Sequence, residues 1–457
     1  MGLAAGACYF GGTLYWTPAV LSTFGGISAP LAFFAGGLLV AYLALFPAAF
    51  AAVTARVVDR VGPGGVMIAP AVWVATEVLR RWVLGGFPWV QLGSSQAGVL
   101  PVVQTASVAG VYGLSALLVT VSAAAALAMA GRGRARLVAP AVALVLAGCL
   151  AGWGAWRVHD GYLLTQGRPV LVALAQGNIP QNEKWEKDRA ARILDTYLQQ
   201  TREGAARGAS LVIWPESSTP FMYEQDSDGQ AAIQRTVRDL GVSLLFGSDQ
   251  FEPGTPPRYF NAAFLVGPDG CTAAVYRKMH LVPFGEFVPL KRLLFFVAPI
   301  VESVSDFSPG EEPVVMPVGA NRLSTAICYE VVYPDLIAAF VGRGSQLLTT
   351  ITNDAWYGHT SAPYQHFWMA TLRAVEQGRY LARSANTGIS GIVDPYGRVI
   401  TMSRIFERTI VTGQVRYLDH RTVYARTGDA FAWACCLVTL VAWFVARPRR
   451  ARASRSR

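Results

Sequence analysis

Charged residues are almost missing from the first third of the chain, and this constrains the fold more than any other feature. No Asp, Glu, Lys or Arg occurs between Met1 and Ala55, and only ten of the chain's 39 basic and 29 acidic residues precede Val158. Charged residues make up about a quarter of an ordinary soluble domain, against 15% of this chain, in which 53% of the residues are hydrophobic. The composition excludes a wholly soluble enzyme and a disordered chain. It predicts an integral membrane protein with one large water-facing domain.

Long apolar runs indicate where the chain crosses the membrane. A transmembrane helix needs about 20 mostly apolar residues. Five runs in the first third meet this requirement, at about residues 4–24, 29–54, 65–84, 101–130 and 136–156. A sixth run, 430–446, comes just before a basic tail. We therefore predict about five transmembrane helices within 1–158 and a C-terminal transmembrane helix over 428–446.

Clusters of arginine near the ends of these runs predict the orientation. They fall on every second connection, at Arg56 with Arg60, at Arg132 with Arg134 and Arg136, and in the tail 447–457. Loops rich in Lys and Arg usually face the cytoplasm. We therefore expect a basic cytoplasmic tail over 447–457 and place the domain 159–427 on the exoplasmic or periplasmic face. Much of the net charge of +10 is then a topology signal, and no nucleic-acid partner is predicted.

Short β-rich runs alternate with helical runs from about residue 168 onward. Strand candidates such as Val170–Ala175 and Leu323–Cys328 are separated by helical stretches such as Arg189–Arg207 and Tyr364–Arg383. This alternation is typical of a layered α/β domain. The predicted fold class is a membrane α-helical bundle plus an α/β domain, with the α/β domain inserted before the last transmembrane helix.

Three of the predicted strands end at a reactive side chain: Glu216, Lys278 or Cys328. Functional groups gather at the carboxyl ends of strands in open α/β sheets, so a carboxylate, an ammonium group and a thiol could meet there. Each also has an ordinary structural interpretation: Cys328 as a buried strand cysteine, Lys278 as a solvated lysine and Glu216 as a capping carboxylate. No Cys/His spacing resembles a zinc site, and neither a metal nor another cofactor is predicted.

Within their motifs, these residues resemble the nitrilase superfamily, whose signature is a Glu–Lys–Cys triad on an αββα sandwich. Further motifs resemble its membrane-bound branch, the apolipoprotein N-acyltransferase family. They are Gly86-Phe-Pro-Trp-Val-Gln, Gln176-Gly-Asn-Ile-Pro-Gln, Trp214-Pro-Glu-Ser, His280-Leu-Val-Pro-Phe-Gly-Glu-Phe-Val-Pro, Ile327-Cys-Tyr-Glu, Asn353-Asp-Ala-Trp-Tyr-Gly and Tyr424-Ala-Arg-Thr-Gly-Asp. The resemblance covers nearly the whole chain in the family's order. The family commonly has eight spans, whereas six are predicted here.

This resemblance implies a reaction and a set of residue roles. A fatty acyl chain would move from a membrane phospholipid to the α-amino group of the N-terminal diacylglyceryl-cysteine of an apolipoprotein. Cys328 would carry the chain as a thioester, Glu216 would act as general base, and Lys278 would stabilise the oxyanion. Supporting or substrate-binding roles are implied for Glu286, Tyr329, Glu330 and Trp185. The implied setting is the bacterial inner (cytoplasmic) membrane, with a monomeric enzyme.

Other interpretations stay open at this point. A membrane-tethered, nitrilase-type amidase would use the same triad but hydrolyse its acyl-enzyme. A transporter or a lipid-binding membrane protein is the alternative without catalysis, although the apolar runs hold almost none of the ionisable residues that commonly mark transport pathways. His280, His359 and His366 are interpreted as structural because Glu216 is available as a base. The apolar run Leu290–Ile300 is predicted to be an interfacial arm that guides lipid to Cys328, or else to pack on the domain's own core.

Overall fold

The computed structural model describes residues 1–131, 133–283, 285–287 and 307–446. The predicted arm Leu290–Ile300 and the tail 447–457 lie outside these residues. The helices that precede the α/β domain are α1 (Gly2–Thr13), α2 (Thr17–Phe24), α3 (Ala29–Val61), α4 (Ala69–Trp82), α5 (Leu100–Val103), α6 (Ala106–Ala130) and α7 (Ala135–Asp160). Within the described residues, three segments are long and apolar enough to cross a membrane: Ala29–Val61, Ala106–Ala130 and Arg136–Leu164. They correspond to the predicted runs 29–54, 101–130 and 136–156.

The other two predicted runs have a different local structure. Run 4–24 is divided between α1 and α2, and α1 packs along α3. Run 65–84 contains a 3-10 turn followed by α4, which has only 14 residues. The membrane-spanning role of these two runs stays a prediction.

Helix α4 carries charged residues that pair with other parts of the chain. Arg80 and Arg81, which fall outside the alternation of arginine clusters, are both buried. Arg80 donates a hydrogen bond of 2.8 Å to the carbonyl of Trp89. Arg81 forms ion pairs with Asp335 of the α/β domain and, at 2.6 Å, with Asp429. Charged groups in such apolar surroundings need partners of this kind.

The α/β domain contains two six-stranded sheets. The first has the strand order β12-β1-β2-β3-β4-β5; in chain order these strands are β1 (Arg168–Gln176), β2 (Leu211–Ile213), β3 (Ser243–Glu252), β4 (Arg258–Val266), β5 (Thr272–Arg277) and β12 (Thr409–Tyr417). The second has the order β11-β10-β9-β8-β7-β6; its strands are β6 (Met316–Val318), β7 (Asn321–Ile327), β8 (Leu347–Thr352), β9 (Leu381–Ala385), β10 (Gly391–Val393) and β11 (Val399–Met402). The centre of each sheet is parallel, over β1–β2–β3 and β7–β8–β9.

Alternating side chains place one helical layer outside each sheet. Ala173 and Val212 pack with α8 (Ala190–Ala206) and α9 (Ser227–Leu240) in one apolar cluster. Val172 and Leu174, which point to the opposite face, belong to the cluster that holds the second sheet, α10 (Pro334–Gly342) and α11 (Ala362–Gln377). The period of two along a strand produces this division. The predicted αββα sandwich is therefore confirmed.

The sandwich is joined to the apolar helices through α11 and through the end of the chain. Leu372 and Val375 of α11 pack with Val74 of α4 and Val111 of α6. After the sandwich, the chain continues through the short helix α12 (Val423–Thr427) into α13 (Ala430–Val445), an apolar helix of 16 residues. The α/β domain thus precedes the last apolar helix, as predicted.

Candidate active site

Cys328 lies on a sharp turn between β7 and a 3-10 helix that covers Cys328–Val332. Its φ of 53° is in the left-handed region, which is rare for a residue with a side chain. Such strain at a strand end is typical of functional sites. Only 6% of Cys328 is exposed, so its thiol is sheltered from bulk water.

Glu216 and Lys278 meet at the carboxyl ends of β2 and β5. The Lys278 Nζ donates a hydrogen bond of 3.2 Å to Glu216 Oε1, and Asn261 Nδ2 donates one of 2.7 Å to the same oxygen. The other oxygen, Oε2, accepts the backbone N–H of Asn353 at 2.9 Å. Both charged side chains are buried. This network fixes the direction of the Glu216 carboxylate.

Glu286 completes the surroundings of Lys278. Its Oε1 accepts hydrogen bonds from Lys278 Nζ at 2.8 Å and from Asn261 Nδ2 at 2.9 Å. Its Oε2 accepts the backbone N–H of Val282 at 2.8 Å. One ammonium group therefore lies between two carboxylates, and Asn261 connects the carboxylates to each other.

The electrostatics of the site favour an ion pair beside a neutral thiol. Burial by itself would raise the pKa of Glu216, but Lys278, the Asn261 hydrogen bond and Lys184 outweigh it and hold that pKa below its usual value. Burial would lower the pKa of Lys278, yet Glu216 and Glu286 hold it well above its usual value. Burial, and then the charge of Glu216, raises the pKa of the Cys328 thiol, while Lys278 opposes this rise. The charges of Glu216 and Lys278 thus act on Cys328 in the same site.

Glu330 supports the turn rather than pointing at the thiol. Its Oε1 accepts hydrogen bonds from the hydroxyl of Tyr276 at 2.8 Å and from the N–H groups of Met279 at 2.6 Å and His280 at 3.1 Å. Its Oε2 accepts the N–H of Ile327 at 2.7 Å. The carboxylate therefore connects the segment after Lys278 to the strand that carries Cys328.

The two aromatic residues predicted around the site lie in different environments. Tyr329 is buried, and its ring stacks on that of Trp89 with centroids 6.2 Å apart. Trp89 belongs to the segment that precedes α5, so membrane-proximal chain reaches the residue next to the nucleophile. Trp185 is 50% exposed, which suits a residue that contacts a ligand.

Sequence reasoning missed two polar residues of this site. Lys184 is buried, and its Nζ donates a hydrogen bond of 3.1 Å to the backbone carbonyl of Glu216. Burial lowers the pKa of Lys184 to about 8, although Glu216 and Asp249 oppose this shift. Asn261 lies within β4, where one polar residue in an apolar strand was the only available signal.

His366 is closer to the nucleophile than the sequence indicated. Its Nε2 is 3.1 Å from the carbonyl oxygen of Cys328, and its Nδ1 is 3.0 Å from Asp354 Oδ1. The ligand atoms of Cys328, Asp354 and His366 lie within 4.8 Å of one another. Both ring nitrogens are already engaged, however, and Arg383 places a guanidinium nitrogen 2.9 Å from Asp354 Oδ2. A hydrogen-bond network therefore explains this cluster better than a metal site does.

The other two histidines that the sequence singled out, His280 and His359, each stack on an aromatic ring. His280 stacks on Tyr333, with ring centroids 4.1 Å apart. His359 stacks on Phe406 at the same distance. These contacts are consistent with a structural interpretation of both residues.

Comparison with known proteins identifies the family. Residues 171–422 match the carbon-nitrogen hydrolase family, and residues 1–124 match the N-terminal domain of apolipoprotein N-acyltransferase. The chain is 38% identical to the apolipoprotein N-acyltransferase of Geobacter metallireducens over 442 residues, which cover 95% of this chain and 84% of that relative. It is 34% identical to the apolipoprotein N-acyltransferase of Methylococcus capsulatus over 465 residues, which cover 100% of this chain and 89% of that relative.

Among solved structures, an amidase from Nesterenkonia sp. is 23% identical with a TM-score of 0.42, over 56% of this chain and 93% of that chain. The relatives named above match almost the full length of the chain, across both its apolar helices and its α/β domain. The chain belongs to the apolipoprotein N-acyltransferase family.

Proposed function

We propose that this chain transfers a fatty acyl chain from a membrane phospholipid to the α-amino group of the N-terminal diacylglyceryl-cysteine of apolipoproteins. The observation that carries the proposal is the pairing of Lys278 with Glu216 beside the strained Cys328, in a domain packed on apolar helices. This arrangement supplies a nucleophile, a base and a cation next to the source of the lipid.

In the first half-reaction, the Cys328 Sγ attacks the ester carbonyl of the phospholipid. Glu216 accepts the thiol proton as the C–S bond forms. Lys278 stabilises the negative charge that develops on the carbonyl oxygen. The C–O bond then breaks, and Glu216 returns the proton to the departing alkoxide, so that a lysophospholipid leaves and a thioester remains on Cys328.

In the second half-reaction, the neutral α-amino group of the apolipoprotein attacks the thioester carbonyl. Glu216 accepts a proton from the nitrogen while the C–N bond forms, and Lys278 again stabilises the oxyanion. When the C–S bond breaks, Glu216 returns that proton to Cys328. The products are an N-acylated apolipoprotein and the starting state of the enzyme.

Attack and proton transfer are coupled by the electrostatics of the site. Since burial raises the pKa of Cys328, little thiolate exists before the substrate binds. Glu216 is held ionised by its neighbours, so it is ready to accept a proton at neutral pH. Lys278 and Lys184 both act electrostatically on Glu216 and lower its pKa.

We place this reaction at the outer face of the bacterial inner membrane, with a monomeric enzyme. The arginine clusters on alternate connections support this orientation. In this arrangement, α3, α6 and the Arg136–Leu164 segment span the bilayer. Lipid and the acceptor N-terminus both reach the site from the outer face. Within the scheme, Glu286 and Glu330 hold the triad, while Tyr329 and Trp185 contribute to substrate contact.

Intact-mass analysis of the purified protein tests the proposal. After incubation with phospholipid vesicles, the wild-type chain should gain the mass of one acyl group, and a diacylated lipopeptide with a free amine should remove it. Cys328→Ala should form no adduct. Cys271→Ala is the matched control, because Cys271 is an exposed free cysteine of the same domain, and this variant should be acylated normally.

The same experiment distinguishes transfer from hydrolysis. Without an acceptor, the adduct should persist while lysophospholipid release stops after one equivalent. Normal turnover by Cys328→Ala would refute the assignment of the nucleophile. Steady lipid hydrolysis without an amine, as fast as acyl transfer with one, would refute the transferase.

A further inference from the structure

The hydrogen bond between His366 and Cys328 has a defined donor and acceptor. The carbonyl oxygen of Cys328 can only accept a hydrogen bond, so His366 carries a hydrogen on Nε2 and donates it across 3.1 Å. The opposite nitrogen, Nδ1, lies 3.0 Å from both Asp354 Oδ1 and Arg383 Nη2. These surroundings orient the imidazole. All three side chains are fully buried.

The atom that His366 holds belongs to the strained residue itself. Cys328 has its φ at 53°, and the direction of its carbonyl determines the peptide plane that follows the nucleophile. Thr352 Oγ1 adds a hydrogen bond of 2.9 Å to Asp354 Oδ1. The turn is therefore held from Glu330 on one side and from the Asp354–His366 pair on the other.

Helix α11, which carries His366, is also fixed to the apolar helices. The residue before it, Gln365, accepts a hydrogen bond of 2.8 Å from the indole of Trp89 and donates one of 2.9 Å to the carbonyl of Thr13. Farther along the helix, Glu376 accepts the backbone N–H of Val111 at 2.9 Å. The position of His366 is thus set by the membrane-proximal part of the chain.

We propose that His366 is a positioning residue for the nucleophile: from α11 it holds the carbonyl of Cys328, so that Sγ is directed at the ester carbon when the acyl-enzyme forms. The proposal rests on the proposed function and assigns no proton transfer to His366. His366 is expected to affect the rate of the first half-reaction but not the binding of lipid. A misplacement of about 1 Å at a reacting group can lower a rate on the order of 100-fold.

The test compares substitutions at this position in the full chain, purified in detergent. His366→Leu removes the donor, His366→Gln keeps an N–H near the position of Nε2, and His366→Asn is too short to reach the carbonyl. Thr371→Val is the matched control, because its buried hydroxyl bonds only to the carbonyl of Phe367 on the same helix. The rate of acyl-enzyme formation is measured by intact mass against the concentration of a dipalmitoyl phospholipid.

We expect His366→Leu to lower the maximal rate about 100-fold without changing the half-saturating lipid concentration. His366→Gln should restore most of the rate, His366→Asn should not, and Thr371→Val should react like wild type. A His366→Leu variant that reacts within about threefold of wild type would overturn the proposal. If that variant does not fold, equal rates for the Gln and Asn variants would overturn it.

A second probe separates this proposal from the proposed function. Iodoacetamide alkylation of Cys328, followed in its peptide by mass spectrometry, reports the placement of the thiol without any lipid. If wild type forms no acyl-enzyme, the proposed function fails, but slower alkylation in His366→Leu with recovery in His366→Gln would still support the positioning role. Equal alkylation rates in all variants would exclude it.

Discussion

The phenol of Tyr276 donates a hydrogen bond of 2.8 Å to the carboxylate of Glu330. Tyr276 is two residues before Lys278 on the chain, and Glu330 is two residues after Cys328. The bond therefore connects the segment that carries the cation with the turn that carries the nucleophile. Because both partners are buried, this connection is protected from competition with water.

Removing this bond should loosen the site. Tyr276→Phe deletes one buried hydrogen bond, which contributes about 0.5–1.5 kcal/mol to stability. We expect a lower melting temperature and slower acyl-enzyme formation, with a larger effect in Glu330→Ala because three backbone N–H groups also lose their acceptor. Tyr223→Phe is the control, because Tyr223 is a buried tyrosine whose hydroxyl contacts Thr272 and Gln234. Wild-type rates in both site variants would contradict the connecting role.

The negative charge of Glu286 should contribute to the rate of acylation. In Glu286→Gln an oxygen can still accept from Lys278, but the second negative charge is lost and Lys278 pairs more strongly with Glu216. The remaining hydrogen bond is weaker because its acceptor is neutral. We therefore expect single-turnover acylation to fall by about 10-fold, at the lower end of the about 1.5–3 kcal/mol that a hydrogen bond to a charged group contributes. The exposed acid Glu312, which pairs with Arg343 at the surface, provides the control variant Glu312→Gln. Equal rates for the two variants would count against a role of Glu286 in the site.

Lys184 should set the acidic limit of the reaction. The positive charge of Lys184 is one of the causes that lower the pKa of Glu216, so its loss in Lys184→Met must raise that pKa. Glu216 is then protonated at a higher pH, and the acidic limb of the rate profile moves upward. Lys184→Arg keeps the charge and should keep the limb in place. Single-turnover profiles at acidic pH measure this, and identical limbs in Lys184→Met and wild type would refute it.

Replacing Trp185 should affect substrate binding rather than the stability of the fold. Because half of its surface is exposed, Trp185→Ala should change the free energy of unfolding by no more than about 0.5 kcal/mol. We expect a higher KM for the phospholipid or for the lipopeptide acceptor, with partial recovery in Trp185→Phe. Steady-state kinetics with each substrate varied in turn provide the measurement. An unchanged KM for both substrates would remove Trp185 from the binding surface.

The orientation can be tested with a cysteine that the chain already contains. Cys271 is exposed on the α/β domain, so an impermeant maleimide should label it from the periplasmic side of intact spheroplasts. A cysteine added after the tail 447–457 should react only after lysis. Protease cleavage in loops of 180–230 should follow the same pattern as Cys271. Labelling of Cys271 only after lysis would reverse the orientation, and Cys271→Ser controls for other thiols.

The parts of the site that follow strand ends were predictable from the sequence. Glu216 and Lys278 follow strands of the first sheet, and Cys328 follows a strand of the second. Each lies past the carboxyl end of its strand, where functional groups gather in α/β folds. Their motifs then favoured a catalytic interpretation of these residues over a structural one. The alternation of strands and helices is a local pattern and predicted a layered α/β domain, whereas the two-sheet sandwich was implied by the resemblance to the nitrilase superfamily.

The supporting residues were not predictable because their roles depend on distant partners. Asn261 bonds to Glu216 across 45 positions of the chain, and His366 contacts Cys328 across 38. Run 65–84 shows the same limitation in the apolar part. Its hydropathy predicts a span but did not indicate that Arg81 pairs with the distant residues Asp335 and Asp429. Neither the composition of the chain nor the periodicity of its apolar residues shows which distant residues pair in the fold.

The seam between α11 and α6 also determines whether the catalytic half can exist by itself. Arg373, Glu376 and Gln377 are buried there together with Leu372 and Val375. Cutting the sandwich away would expose apolar surface to water and leave the Glu376 carboxylate without the Val111 N–H. We therefore expect the excised domain to aggregate rather than behave as a soluble hydrolase. A chimera that combined the apolar helices of one relative with the α/β domain of another would have to preserve this seam. The α/β domain and the apolar helices are therefore expected to evolve together.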